Sequence, residues 1–434
     1  MRHGSSVKML ARLAKVLAFG LLALGILSGN LLAKEITFWT WTTGPGQQAE
    51  NETLDIFRQR HPNITLSYDT RNVRNGEALL LAVAGGAAPD LVCTHQDWHR
   101  DFAEIGAFLD LRPFIQRDKF NVGVFPKDLM GYFTSPNGEV TGFPWQLTTI
   151  VLAYNRALFD NQGLASPTNK WGLPDMVTAA RKLTIDAHGD GTPDTWGLQT
   201  GLLHEYVWRW WGVDMMSPDG QTCNLADHRA IAAFDWMAGL FVRDKVAHPV
   251  YGGGREFPDW VNGKLGMILT WPHYATAWGL HLADRWDVEE LPTAPVGSKL
   301  ARGATAGWAI PASAPNPDLA WEVLKFLASD EAQLSLLTSG RGGASSRAIS
   351  KYWSQARSGG LGLKEPDSMR NIQALVNSYN YASIDSYPVG FANINTTILG
   401  PAVGRMLRGE TSPQAELPQV AALVNARVRD GQGK

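Results

Sequence analysis

Tryptophan recurs along this chain at the edges of extended stretches, in places beside an amide or a carboxylate. Trp39 and Trp41 close the run 36–41. His95-Gln96-Asp97-Trp98 closes 89–94, Trp145-Gln146 precedes 149–155, and Trp271 follows the apolar run 265–270. An indole offers a broad flat face and one donor, while amides and carboxylates fork onto neighbouring polar groups. Together they suit noncovalent capture of a ring that is apolar on its faces and hydroxylated at its edge. Covalent chemistry has no such signature here: the chain lacks a Gly-x-Ser-x-Gly elbow, a P-loop and a zinc motif. His95, Asp97 and His99 are potential metal ligands without a matching third element nearby, so hydrogen bonding is the simpler role. Trp208, Trp210 and Trp211 form a cluster after Glu205. On a helix, Trp208 would share a face with Glu205 and Trp211. At least one indole of that cluster is expected in the core, and the core explains Trp39 or Trp41 as well as a ligand does.

One other group of oxygens stands out. In Asp186-Ala187-His188-Gly189-Asp190-Gly191-Thr192-Pro193-Asp194 the acids Asp186, Asp190 and Asp194 resemble the front of a calcium loop. Such loops place oxygens at about positions 1, 3 and 5 and a glycine at about 6. Here the third position is His188, a poor calcium ligand, and the position of the closing carboxylate falls on Gly197. An Asx-type turn is the competing expectation. Calcium is the one cofactor the sequence leaves open.

These residues need elements to position them. The alternating β-branched and aromatic residues of 36–41 predict a buried strand. Breakers at 42–46 predict a turn, and 47–60 a helix with Leu54, Ile56 and Phe57 as apolar candidates. Further strands are expected at 64–68, 89–94, 149–155, 196–199, 265–270 and 303–310, and helices at 77–84, 177–183, 227–242 and 257–263. Asn316-Pro317 predicts a capped helix start. Strand alternating with helix predicts a largely parallel α/β sheet, in which ligands bind outside the carboxyl ends of the strands. The segments 142–146 and 340–347 are candidate crossings between lobes.

At 434 residues the chain should form two lobes, and 44% hydrophobic content supplies a core for each. A formal charge of −2 gives no electrostatic reason to expect nucleic acid. Seventeen tryptophans are many, and favour flat-faced recognition. The first 33 residues form an export signal: Arg2, Lys8, Arg12 and Lys15 precede the apolar run 16–27, and Leu31-Leu32-Ala33 allows cleavage. No cysteine lies near that site to carry a lipid. Cys93 and Cys223 are the whole cysteine complement. A disulfide is open to an exported protein, but Cys93 sits in an apolar run suited to a free buried thiol.

The ordered pieces resemble a known family. They are the strand Ile36-Thr37-Phe38-Trp39, the helix end from Phe57 to Pro62, the Gly85-Gly86…Pro89-Asp90 segment, Tyr154-Asn155-Arg156-Ala157-Leu158-Phe159, Asn262-Gly263-Lys264-Leu265-Gly266-Met267, Gly307-Trp308-Ala309-Ile310-Pro311, and the helix from Pro317. In this order they resemble family 1 of the bacterial extracellular solute-binding proteins, the maltose-binding-protein-like receptors of ABC importers. Lys170-Trp171-Gly172-Leu173-Pro174-Asp175 departs from the family's usual Thr-Trp-Asp-Glu segment, and 340–347 is unusually rich in Gly and Arg. The resemblance implies a two-lobed periplasmic binding protein fold of type II-like, α/β architecture, with discontinuous lobes and hinge crossings. Residues 34–143 and 305–340 would form the N-terminal lobe, and 144–304 and 341–434 the C-terminal lobe. It also implies a periplasmic, monomeric, non-enzymatic receptor that closes on a carbohydrate and delivers it to a permease. The family's ligand loops fall on Trp41, Gln47, Gln96, Asp97, Trp145, Gln146, Glu205, Trp208, Trp271, Trp308 and Arg341, with Tyr387 in addition. Arg341 leaves a sugar or polyol phosphate, such as glycerol phosphate, as the alternative ligand. An exported glycosidase using Asp97 and Glu205 is the alternative of another class.

Overall fold

The computed structural model describes residues 34–42, 45–71, 76–135, 137–251, 257–271, 285–338, 343–344, 371–384, 387–388 and 390–432. The expected export signal, residues 1–33, and Arg341 lie outside them. Among the described residues ten strands follow in chain order: β1 (Lys34–Thr40), β2 (Ile64–Thr70), β3 (Leu91–His95), β4 (Phe143–Thr149), β5 (Val151–Asn155), β6 (Trp196–Gln199), β7 (Leu265–Thr270), β8 (Trp286–Glu289), β9 (Ala301–Ala309) and β10 (Ala382–Ile384).

They form two sheets. The first has the order β10-β9-β3-β1-β2, with β4 also paired to β9, and the second has the order β6-β7-β5-β8. Alternation in β1 buries Ile36, Phe38 and Thr40, and β1 runs parallel to both β2 and β3. The largely parallel expectation is corrected to a mixed one, with β10 parallel to β9 and β6 to β7 but four other pairs antiparallel. β9 enters the first sheet antiparallel to β3 and β4, and β5 is antiparallel to both β7 and β8. The cause is the chain path: β9 returns from the second lobe and meets the first sheet head-on. Ala301 at its start packs in the second core, while Ala306 and Trp308 near its end pack in the first.

Each sheet carries its own core. Phe38, Leu91, Phe143 and Trp321 belong to the first, and Leu152, Met176, Phe234 and Leu269 to the second. Cys93 is buried in the first and Cys223 in the second, so the two cores keep them apart and no disulfide joins them. Gly307 allows the crossing strand its close packing, because a Cβ there would meet the Phe133 ring at 2.2 Å. The helix Pro317–Leu327 begins where Asn316-Pro317 predicts, but Asn316 makes no side-chain cap bond. Its amide instead donates to Asp90 Oδ1 at 3.1 Å.

Candidate functional site

The first lobe supplies one wall. Trp41 follows β1 and is half-buried, its ring edge-on to His95 at 5.8 Å and to Trp145 at 5.7 Å. The turn behind it is fixed by the buried Glu50 carboxylate, which accepts from Thr40 Oγ1 (3.0 Å), Thr42 Oγ1 (2.5 Å) and the Tyr68 hydroxyl (2.5 Å). Burial and the Glu50 charge push the Tyr68 phenol well above its ordinary range. Gln47 donates to Thr70 Oγ1 at 2.7 Å, which ties it to the end of β2.

The loop after β3 carries Gln96 and Asp97. Gln96 Oε1 accepts from the Thr305 N–H on β9 at 2.7 Å, so the crossing strand and this loop are held to each other. Its Nε2 is buried with no partner among the described residues. Asp97 Oδ2 lies 3.1 Å from His95 Nδ1. His99, the third residue of that potential metal group, is fully buried and contacts Thr94 and Thr141 hydroxyls at 3.0 Å each. Burial lowers its imidazole to about 3, which keeps it neutral. Hydrogen bonding accounts for this histidine.

The second lobe supplies the facing wall, built around Glu205 in the short 3-10 turn Leu203–Glu205. Its carboxylate pairs with the Arg302 guanidinium and accepts from Asn395 Nδ2 at 3.0 Å. Tyr387 donates from its hydroxyl to the Glu205 carbonyl at 3.3 Å and stacks on Phe391 with centroids 3.9 Å apart. The Arg302 guanidinium carbon lies 5.6 Å from the Tyr387 ring centroid and 6.0 Å from that of Trp271, the half-buried residue after β7. Glu205 and Arg302 are only 9% and 5% exposed.

The walls meet. Gln96, Asp97, Arg100, Asp101 and Tyr132 from the first lobe line one narrow gap with Tyr387, Pro388 and Phe391 from the second. The gap holds about 20 Å³, roughly room for one water. The Gly390 N–H donates across it to Asp101 Oδ2 at 3.0 Å. Burial pushes the Asp101 carboxyl up to about 6, against the pull of the Gly390 hydrogen bond. Two roomier cavities, of about 400 and 320 Å³, lie away from this gap, each lined by one lobe alone.

Three of the expected ligand residues are enclosed here. Trp145, Trp208 and Trp308 are each 0% exposed. Trp208 stacks on Phe234 at 5.9 Å inside the second core. Trp145 and Trp308 pack on each other at 6.1 Å inside the first. The strand register explains Trp145: a shift between Pro144 and Gln146 leaves it as the extra residue of a bulge. Gln146 next to it is half-buried, with its carbonyl held by Thr305 Oγ1 at 2.8 Å. The segment over Trp208 is a second 3-10 turn, Val207–Trp211, distinct from the turn that carries Glu205. Arg302, Asn395, Asp101 and Tyr132 were not anticipated. For Arg302 the signal was an arginine within a Gly- and Ala-rich extended run, since a charge buried in a strand must be paired.

The acidic loop closes on itself. Asp186 accepts from the Gly189 and Gly191 N–H groups at 2.7 and 2.8 Å. Asp190 accepts from Thr192 N–H at 2.9 Å, and Asp194 from Ala187 N–H at 2.7 Å. His188 Nδ1 lies 2.7 Å from Asp194 Oδ1. These are the bonds of an Asx-type turn. Among the described residues no group of three or more His, Cys, Asp or Glu side chains could hold a metal ion.

Two α/β lobes joined by a shared strand, with polar and aromatic residues of both turned to one gap, define a hinged ligand-binding protein. The chain belongs to the bacterial extracellular solute-binding proteins, whose family model matches residues 40–334. A binding protein of Brucella abortus is 24% identical over 288 residues, covering 64% of this chain and 67% of that one. The sn-glycerol-3-phosphate-binding periplasmic protein of Agrobacterium fabrum is 27% identical over 194 residues, 42% of this chain and 43% of its own. A Listeria monocytogenes ABC substrate-binding protein, solved in complex with cycloalternan, superposes with a TM-score of 0.77 at 20% identity. That match covers 92% of this chain and 99% of the other. Among the described residues no helix is long and apolar enough to cross a membrane.

Proposed function

We propose that this chain is a periplasmic receptor that captures a carbohydrate between its two lobes and hands it to the permease of an ABC importer. The observation that carries the proposal is the convergence across the gap. Gln96 and Asp97 stand on one side, and Tyr387, with Glu205, Arg302 and Trp271 behind it, on the other. Rings of Trp41, Trp271 and Tyr387 would cover the C–H faces of a pyranose. The Gln96 amide and the Asp97 carboxylate would bond its hydroxyls. A site with polar groups committed to hydroxyls discriminates strongly against analogues lacking them. The cycloalternan complex of the Listeria relative supports the same ligand class.

The gap as it stands is too small for a sugar, so ligand entry requires the lobes to part about the crossing strand β9. The protein acts by binding rather than by bond cleavage, since Glu205 is engaged by Arg302 and Asn395. Transport from the periplasm as a monomer, with no nucleic acid, metal or other cofactor, completes the proposal. Isothermal calorimetry with a panel of mono- and disaccharides tests it. Saturable 1:1 binding with quenching of tryptophan fluorescence is expected, and an absence of both for every sugar would overturn it. The similarity to the glycerol-phosphate receptor, together with Arg302, motivates including sn-glycerol 3-phosphate in the panel.

A further inference from the structure

We infer that Glu205 is a specificity-determining residue that holds the ligand site to uncharged, hydroxyl-rich molecules by neutralising Arg302. The inference rests on the carbohydrate-binding proposal above and deepens it to a choice of ligand charge.

Arg302 has what an anion site needs. Its guanidinium is a planar fork of donors matched to phosphate or carboxylate oxygens. It sits at the start of the crossing strand β9, beside the rings of Trp271 and Tyr387 at 6.0 and 5.6 Å. The Tyr387 ring also lines the gap between the lobes. An arginine there without a counter-ion would draw in an anionic ligand.

The counter-ion is built in. Glu205 comes from a different element, the turn Leu203–Glu205, and its carboxylate meets Arg302 with both side chains largely buried. Asn395 holds the second carboxylate oxygen at 3.0 Å, and the Tyr387 hydroxyl holds the Glu205 carbonyl, so two further contacts fix the acid that meets Arg302. His204 Nε2 lies 3.8 Å from the same carboxylate. Burial lowers the His204 imidazole, so it adds no cation to the group. A buried pair of this geometry is electrically closed, and separating it to admit a phosphate would leave the carboxylate buried and unpaired. Across the gap stand Asp97 and Asp101, with Arg100 over the Tyr132 ring at 4.4 Å. Among the described groups on the two walls the carboxylates outnumber the guanidinium groups. A hydroxylated neutral ring meets no penalty there, while a phosphate meets repulsion from the Asp97 and Asp101 side and finds no net positive charge opposite.

Glu205→Gln tests this. The amide keeps one acceptor oxygen for Arg302, turns its NH2 toward Asn395, whose own amide can rotate to present its oxygen, and removes the charge. Calorimetry compares wild type and variant with maltose, glucose and sn-glycerol 3-phosphate, at low and at 0.5 M salt. The wild type is expected to bind at least one of the sugars and to bind glycerol phosphate at least tenfold more weakly. The variant is expected to gain tenfold or more toward glycerol phosphate, with the gain suppressed by salt. The double variant Glu205→Gln/Arg302→Gln is expected to lose that gain. Should the single variant fail to fold, Arg302→Met supplies the mirror test: the uncovered carboxylate should then prefer glucosamine over glucose. A folded Glu205→Gln with unchanged phosphate affinity, or a folded Arg302→Met with no amine preference, would overturn the inference while leaving sugar binding in place. Tighter wild-type binding of glycerol phosphate than of any sugar would overturn it too. A wild type that binds nothing in the panel would remove the carbohydrate proposal itself.

Discussion

Of the expected tryptophans, only two kept an accessible face. Trp41 and Trp271 are half-buried beside polar groups, whereas Trp145, Trp208 and Trp308 are enclosed. Composition announces that indoles are plentiful without saying which way each points. A residue at the end of a strand can turn to the cleft or, with one bulge, back into the core, as Trp145 does. The two kinds should separate in experiment. Trp271→Ala should weaken sugar binding about tenfold, the loss of one aromatic face, with little change in melting temperature. Trp208→Ala should do the reverse, costing about 3–5 kcal/mol of stability as a core truncation. Calorimetry and thermal unfolding on both variants check this. Equal effects of the two on affinity would remove the distinction. The Glu205–Arg302 pair belongs to this scale as well, and no local pattern could have shown it, because its partners are 97 positions apart in a chain of 434.

Elements were far more legible than side-chain directions. The helix Glu77–Ala84 and the strands β6 and β7 fall where periodicity and breakers put them. β8 (Trp286–Glu289) was missed because two acids in a four-residue strand read as an irregular stretch. Both acids are in fact buried, with Asn371 donating to them at 3.1 and 2.9 Å. Strand direction was not legible either, since β9 owes its antiparallel setting to where the chain has come from. The contact between the helix His99–Glu104 and the backbone at Gly390 leads to a pH prediction. Asp101 is held at about 6 in this closed contact by burial, with Asp97 and Glu104 adding to the rise. When the lobes part, water returns it toward the ordinary 3.8. The closed form therefore holds the proton more tightly, so closure is favoured below 3.8 and that advantage is lost as pH rises through about 6. Sugar affinity should accordingly fall across this window, and Asp101→Asn should flatten the slope. Calorimetry at a series of pH values reads this, and an unchanged slope in the variant would contradict it.

At the scale of the whole molecule, the order of weak motifs defined the fold although no single one did. Two sheets, two cores and a strand shared between them follow from a chain that leaves one lobe at β4 and comes back along β9. Function depends on the space between the lobes, which this closed arrangement almost eliminates, while single-lobe cavities such as that beside Trp211 and Trp236 are roomier. The competition between these places is settled by seeing where a ligand sits. The most direct measurement is a crystal structure of the protein with the sugar that calorimetry selects. The sugar should lie between the lobes, its ring against Trp41, Trp271 or Tyr387 and its hydroxyls on Asp97 and Gln96. A sugar bound on the outer face of one lobe, with the Gly390 N–H still bonded to Asp101 across the gap, would contradict the account.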